Sequence, residues 1–321
     1  MTRILKKIKS IVAITLLIPA IGFATQSEKK ADDVLRIGYQ KYGTLILLKA
    51  SGELEKRLAP LGVKVTWNEF PAGPQLLEGL NVGSIDFGTV GETPPIFAQA
   101  ANAKITYIGY KPASPKSEAI IVQKDSSIKS VADLKGKKVV LNKGSNVHYL
   151  LVKALENAGL KYSDIETVFL APADARAAFE RGSVDAWVIW DPFLAAAETS
   201  IGAKVLKDGT NTVNNHQFYL AEESYASKRA DIVAIIFEEL KKVNDWAISK
   251  PKEVANALAP LTGLDVVTLE KALSRGGYGI NYLNNNVITE QQKIADTFYD
   301  LKLIPKKIDI KSVVWLPEQK K

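Results

Sequence analysis

VLRIGYQKYGTLILLKASGELEKRLAPLGVKVTWNEF (34–70) contains a whole strand–helix–strand unit. Residues 34–39 are a short β-rich run, 44–61 read as helical with an interruption at Gly52, and 63–70 are β-rich again. Working outward, the alternation continues with a helix at 74–82 ending near Gly83, a strand at 85–88, a helix at 95–101 and a strand at 105–110. A connector rich in Pro and Lys, KPASPK (111–116), follows. The pattern then restarts, with strands at 118–123, 137–141, 165–170 and 186–190 and helices at 147–158 and 173–181. Alternating units of this kind predict an α/β fold, each sheet flanked by helices. Two units joined by an extended connector predict two lobes with a cleft between them.

A second extended run at 217–221 reads as the return crossing. Beyond it the chain is mostly helical. Ile232, Ile235, Ile236, Leu240, Val243 and Trp246 form an apolar stripe at helical spacing, and 261–277 and 289–303 continue in that style. The expected organisation is a leader at 1–24, a first lobe at 25–112 completed by 218–321, and a second lobe at 113–217.

The leader rests on charge and hydropathy. Arg3, Lys6, Lys7 and Lys9 precede the apolar stretch IVAITLLIPAIGFA (11–24), and no acidic residue occurs before Glu28. A basic start, a short apolar core and a small-x-small ending at Gly22-Phe23-Ala24 read as a cleavable secretory signal. The apolar run is short for a membrane span. Cleavage after Ala24 removes four positive charges from the formal +7, leaving +3, which gives no basis for nucleic-acid binding.

The chain has no cysteine and only two histidines, His148 and His216. Disulfides, thiolate nucleophiles, zinc knuckles and a lipid-bearing N-terminal cysteine are thereby excluded. An exported, untethered protein that serves a membrane partner fits a periplasm. No Gly-x-Ser-x-Gly elbow, Walker A loop, Gly-x-Gly-x-x-Gly fingerprint or EF-hand loop occurs, so no catalytic motif, metal site or cofactor is expected.

The chain does offer strand-to-helix turns rich in Gly, Ser, Thr and Asn. Ligands of open α/β sheets bind beyond the carboxyl ends of strands, and a helix start there offers free N–H groups to an anion. Three turns stand out: 40–44, 88–93 and 142–146. Each could equally be an ordinary helix cap. Near 187–193, strand alternation sends Trp187 to one face and Trp190 to the other, so one ring can be core while the other meets the cleft. Asp191 reads as a cap for the following helix. His148 is either a neutral donor to a ligand or a packed residue.

At these turns the chain resembles the periplasmic aliphatic-sulfonate-binding proteins of ABC importers. The resemblance is carried by LRIGYQK (35–41), EFPAGPQLLEGLNVGSIDFGTVGETPPIFAQAA (69–101), SVADLKGKKVVLNKGSNVHYLL (130–151), APADARAAFERGSVDAWVIWDPF (171–193) and FYLAEESYA (218–226). It implies a two-lobe, Venus-flytrap fold of the type-II periplasmic binding protein kind. An organosulfonate anion would sit in the cleft of a monomer and be passed to a membrane permease with its cytoplasmic ATPase. Carried over block by block, the cleft residues would be Gln40, Thr89, Glu92, Thr93, Ser145, Asn146 and Trp190. Relatives of this type bind taurine, nitrate or thiamine-precursor pyrimidines, and these remain alternatives, as does a sensor role.

Overall fold

A computed structural model describes residues 33–315; the leader read at 1–24 lies outside them. Two five-stranded mixed sheets organise the described chain. In the first the order is β2-β1-β3-β10-β4, from β1 (Asp33–Tyr39), β2 (Val63–Glu69), β3 (Phe87–Gly91), β4 (Ile105–Lys111) and β10 (Gln217–Glu222). In the second it is β7-β6-β8-β5-β9, from β5 (Glu118–Val122), β6 (Lys138–Leu141), β7 (Glu166–Phe169), β8 (Ala186–Trp190) and β9 (Lys204–Asp208). The two sheets are built alike. In each, one strand, β10 or β5, runs antiparallel between its neighbours, whereas β1–β2, β1–β3, β6–β7 and β6–β8 are parallel.

The apolar residues explain the layers. Leu35 and Ile37 of β1 point into a core with Leu45, Leu48 and Leu54 from α1 (Thr44–Ser51) and α2 (Glu53–Leu58). The stripe expected near 232–246 lies on α9 (Ala230–Ser249), whose Ile232, Ile236, Leu240 and Val243 join the same core. The other face of that sheet is covered by α3 (Gly73–Asn81), α4 (Pro94–Ala100) and α12 (Asn285–Asp300). The second sheet has its own core, built on Val139, Val140, Leu151, Leu155, Phe179 and Trp187, with α5 (Asn146–Asn157) and α6 (Pro172–Glu180).

The boundaries differ from the sequence reading at informative places. The third strand runs Phe87–Gly91 rather than 85–88, because Phe87 to Gly91 pair in full with β10. Thr89 is therefore a strand residue and not part of a turn. The helix expected at 261–277 is two helices, α10 (Pro251–Thr262) and α11 (Val266–Ser274). Gly263 ends the first at φ 73°, and the Asp265 carboxylate caps the second by accepting the Thr268 N–H at 2.8 Å. α12 starts at Asn285 rather than 289, with Asn284 as its cap. β9 had no reading in the sequence, and α7 (Phe193–Ile201) was expected only as a helix of unstated length capped by Asp191.

Two crossings join the sheets, one between β4 and β5 and one between β9 and β10. They run side by side and are hydrogen-bonded to each other. Asn215 donates through Nδ2 to Ser114 O at 3.1 Å and to Ser117 Oγ at 3.0 Å, and Gly209 N–H donates to Pro115 O at 2.9 Å.

Candidate functional site

The carboxyl ends of the parallel strands meet at the boundary between the sheets. The end of β3 and the start of α5 come into contact there. Gly91 can only be glycine at this point: a Cβ there would come within 2.9 Å of the Asn146 side chain. A cavity opens beside that contact. The turn after β1 contributes Lys41, Tyr42, Gly43 and Thr44, the crossings contribute Lys111, Ser114, Asn215 and Gln217, and the second sheet contributes Asn146, Trp190 and Asp191. Its remaining wall is apolar, from Leu47 of α1, Leu258 of α10, Leu269 and Leu273 of α11, and Tyr278. α10 packs on α1 while α11 packs on α7, so this helical pair spans both halves of the cavity.

The polar lining combines groups already bonded to the protein with two, on Gln217 and Lys111, that keep capacity for a ligand. Gly43 sits at φ 80°, a left-handed conformation that suits glycine and turns the chain into α1. The buried Gln217 side chain keeps Oε1 without a partner among the described residues. Asn146 donates to the Glu118 carboxyl and, at 3.1 Å, to Asn215 Oδ1. Lys111 is 5% exposed, and its Nζ lies 5.7 Å from the centre of the Tyr278 ring. Burial lowers its ammonium to about 8.

The seven residues carried over from the sequence fall into two groups. Asn146 and Trp190 line the cavity, Trp190 at the very end of β8 with its ring 6.3 Å from that of Phe193. The other five stand behind its wall. Gln40 donates to Thr89 O at 3.2 Å, and Thr89 Oγ1 donates to Phe218 O at 3.1 Å, which ties the ends of β1, β3 and β10 together. Ser145 precedes α5 and donates to Asn142 O at 2.7 Å. Thr93 is fully buried, its hydroxyl unpartnered among the described residues.

Glu92 faces the opposite side of the boundary. Its carboxylate accepts the His216 N–H at 2.9 Å, and a second, more polar recess is formed there with Tyr149, His216, Glu290 and Gln291. Burial first, opposed by the His216 N–H, raises Glu92 to about 8. Glu118 is raised well above the carboxylate range by burial and by the nearby Glu92. Glu92 is thus largely neutral at pH 7, and burial favours the neutral form of Glu118 as well.

The histidines and Asp191 have clear partners. His148 is fully buried, accepts the Gly144 N–H at Nδ1 and therefore donates from Nε2 to the Tyr162 hydroxyl at 2.8 Å. Burial holds it down at about 4, so it is a packed neutral residue. The Asp191 carboxylate accepts the Ala195 N–H at 2.9 Å in the first turn of α7. Burial raises it to about 7, against the pull of Arg275. Arg275 and Lys271 of the α11 segment also pair with Glu198 of α7, at 2.5 and 3.1 Å. The sequence reading missed Lys111, Gln217 and the α10–α11 wall.

Comparison with known proteins agrees with this architecture. Residues 60–254, more than half the chain, match the family described as NMT1/THI5 like. The crystal structure of the periplasmic aliphatic sulphonate binding protein SsuA from Escherichia coli superposes with a TM-score of 0.82 at 46% identity, over 90% of this chain and 94% of that one. The chain belongs to the NMT1/THI5-like family, alongside the SsuA binding proteins. Within that family, the alkanesulfonate-binding protein SsuA from Xanthomonas axonopodis pv. citri, bound to MOPS, is similar at 40% identity and a TM-score of 0.83, over 88% and 98% of the two chains. The fold extends further than the family's binding proteins: the desulfurization enzyme DSZB shares it at 16% identity, with a TM-score of 0.65 over 89% and 97%. The two-lobe α/β architecture of periplasmic binding proteins is thus the fold of this chain.

Proposed function

We propose that this chain is the solute-binding component of an ABC importer that captures aliphatic sulfonates between its lobes and passes them to a membrane permease. It works as a non-catalytic monomer in the periplasm. The observation that carries the reading is the lining of the cavity. The unpaired Lys111 ammonium and the polar turn after β1 reach it from the strand ends and crossings, and leucines reach it from α1, α10 and α11. A ligand with an anionic head and an alkyl tail uses both. The family relationship to SsuA proteins supports the same class of ligand.

Asn146, Trp190, Tyr42, Thr44 and Gln217 contact the ligand in this reading. Gln40, Thr89, Glu92, Thr93 and Ser145 form the frame that places them. Closure is a hinge motion about the paired crossings, which absorb the backbone change. The contacts of Arg275 and Lys271 with Glu198 strengthen the closed arrangement.

Thermal melting of the protein from Thr25 onward, against alkanesulfonates of graded length, taurine, sulfate, nitrate and a hydroxymethylpyrimidine, tests the proposal. Binding to the native state raises the melting temperature by mass action. Alkanesulfonates are expected to raise it, longer tails more than shorter ones, and sulfate is not. A response confined to taurine, nitrate or the pyrimidine assigns a different solute, and no response to any of them refutes the assignment.

A further inference from the structure

Resting on that reading, we propose that Lys111 is the counter-charge for the bound sulfonate and restricts the cleft to monoanions. Lys111 closes β4 and begins the first crossing, at the point where the two sheets join. Its side chain is 5% exposed and lines the cavity. Its ammonium forms no ion pair among the described residues, and burial alone accounts for its perturbation, so no carboxylate compensates it there. A buried unpaired ammonium costs free energy unless something neutralises it. The Tyr278 ring, 5.7 Å away, offers only a weak cation–π contact. The missing partner is an anion in the cavity.

The surrounding groups set the charge that the anion can carry. Facing the same space are Lys41 and Tyr42 from the turn after β1, Asp191 from the end of β8 and Tyr278 after α11. Lys41 has its own anion in Glu69, at 3.6 Å, and Asp191 its own cation in Arg275, at 3.5 Å. Glu118 lies behind Asn146, and its carboxyl is kept neutral by burial. One ammonium and one monoanion make a neutral buried pair. A dianion such as sulfate would leave a net negative charge with no second cation in the buried site, which low-dielectric surroundings penalise.

Calorimetric titration at pH 7 with butanesulfonate and with sulfate, on the wild type and Lys111→Met, tests this. The wild type is expected to bind butanesulfonate and not sulfate, and the variant to bind butanesulfonate at least about tenfold more weakly. Butanesulfonate affinity in the variant within about threefold of wild type overturns the proposal alone. A wild type that binds sulfate as tightly as butanesulfonate also overturns it. A wild type with no affinity for any alkanesulfonate refutes the functional reading and the proposal with it. Should Lys111→Met fail to fold, the wild-type affinity is followed from pH 7 to pH 10, where the sulfonate does not titrate. It is expected to fall as the ammonium deprotonates, and the fall should persist in Glu92→Gln and in Asp191→Asn, which remove the groups placed at about 8 and about 7. A flat profile overturns the proposal.

Discussion

The boundary between the lobes has two sides that handle buried charge in opposite ways. On the cavity side Lys111 is buried as a cation with no protein anion beside it. On the opposite side Glu92, and behind Asn146 Glu118, are buried without a protein cation, and burial favours their neutral forms instead. Hydrogen bonds still organise the carboxyls, through the His216 N–H and the Asn146 amide. The difference separates two uses of a buried ionisable group. Neutral carboxyls can hold a frame together at no Coulombic cost to an incoming anion. An uncompensated ammonium is incomplete without a ligand.

The largest expected effect tests whether the cavity side is also structural. Trp190→Ala removes a ring that is 5% exposed, and it should cost about 3–5 kcal/mol in denaturant unfolding as well as ligand affinity. A loss of affinity with unchanged stability would make Trp190 a pure ligand platform.

The carboxyl side is sharpened by pH. The folded value for Glu92, about 8, stands above its ordinary 4.5. Its stabilising contribution is therefore full below about pH 4.5 and lost as pH rises through about 8, on the order of a few kcal/mol. Unfolding free energies of wild type and Glu92→Gln across that window should diverge, with the variant flatter. Parallel profiles would mean that Glu92 is ionised in the fold.

Asn146 links the two sides, since it lines the cavity and donates to Glu118 and Asn215. Asn146→Ala leaves buried polar atoms unpaired, and a loss of about 1–3 kcal/mol is expected by chemical denaturation. The smallest effect belongs to Lys271→Met. Its pair with Glu198 is 38% exposed on the lysine side, which limits it to about 0.2–1 kcal/mol. Its signature is a faster release of ligand in stopped-flow measurements, more than a change in melting temperature.

Legibility in the sequence followed the same divide between local and tertiary causes. Strands such as β1 and β8 and the stripe on α9 announce themselves because apolar periodicity is a local property. α7, FLAAAETSI, is small and apolar on several faces and shows no clear stripe. β9, KVLKD, is a charged edge strand without alternation. The turns at 40–44 and 142–146 were readable as strand-to-helix turns, and both reach the cavity. Lys111 was not readable as a site residue. It stands in KPASPK, whose composition reads as a solvated connector, and only the packing of β4, the crossings and Tyr278 buries it. The apolar wall was hidden for a similar reason, because α10 and α11 come from a region far along the chain and meet the cleft only after folding.

The most direct test of the central claim is a crystal structure of the protein with butanesulfonate. The account predicts the sulfonate oxygens within hydrogen-bonding distance of the Asn146 backbone N–H at the start of α5 and the Lys111 ammonium, with the butyl chain against Leu258, Leu269 and Leu273. A sulfonate bound in the polar recess beside Glu92 and Glu290, or outside the boundary between the lobes, would contradict it.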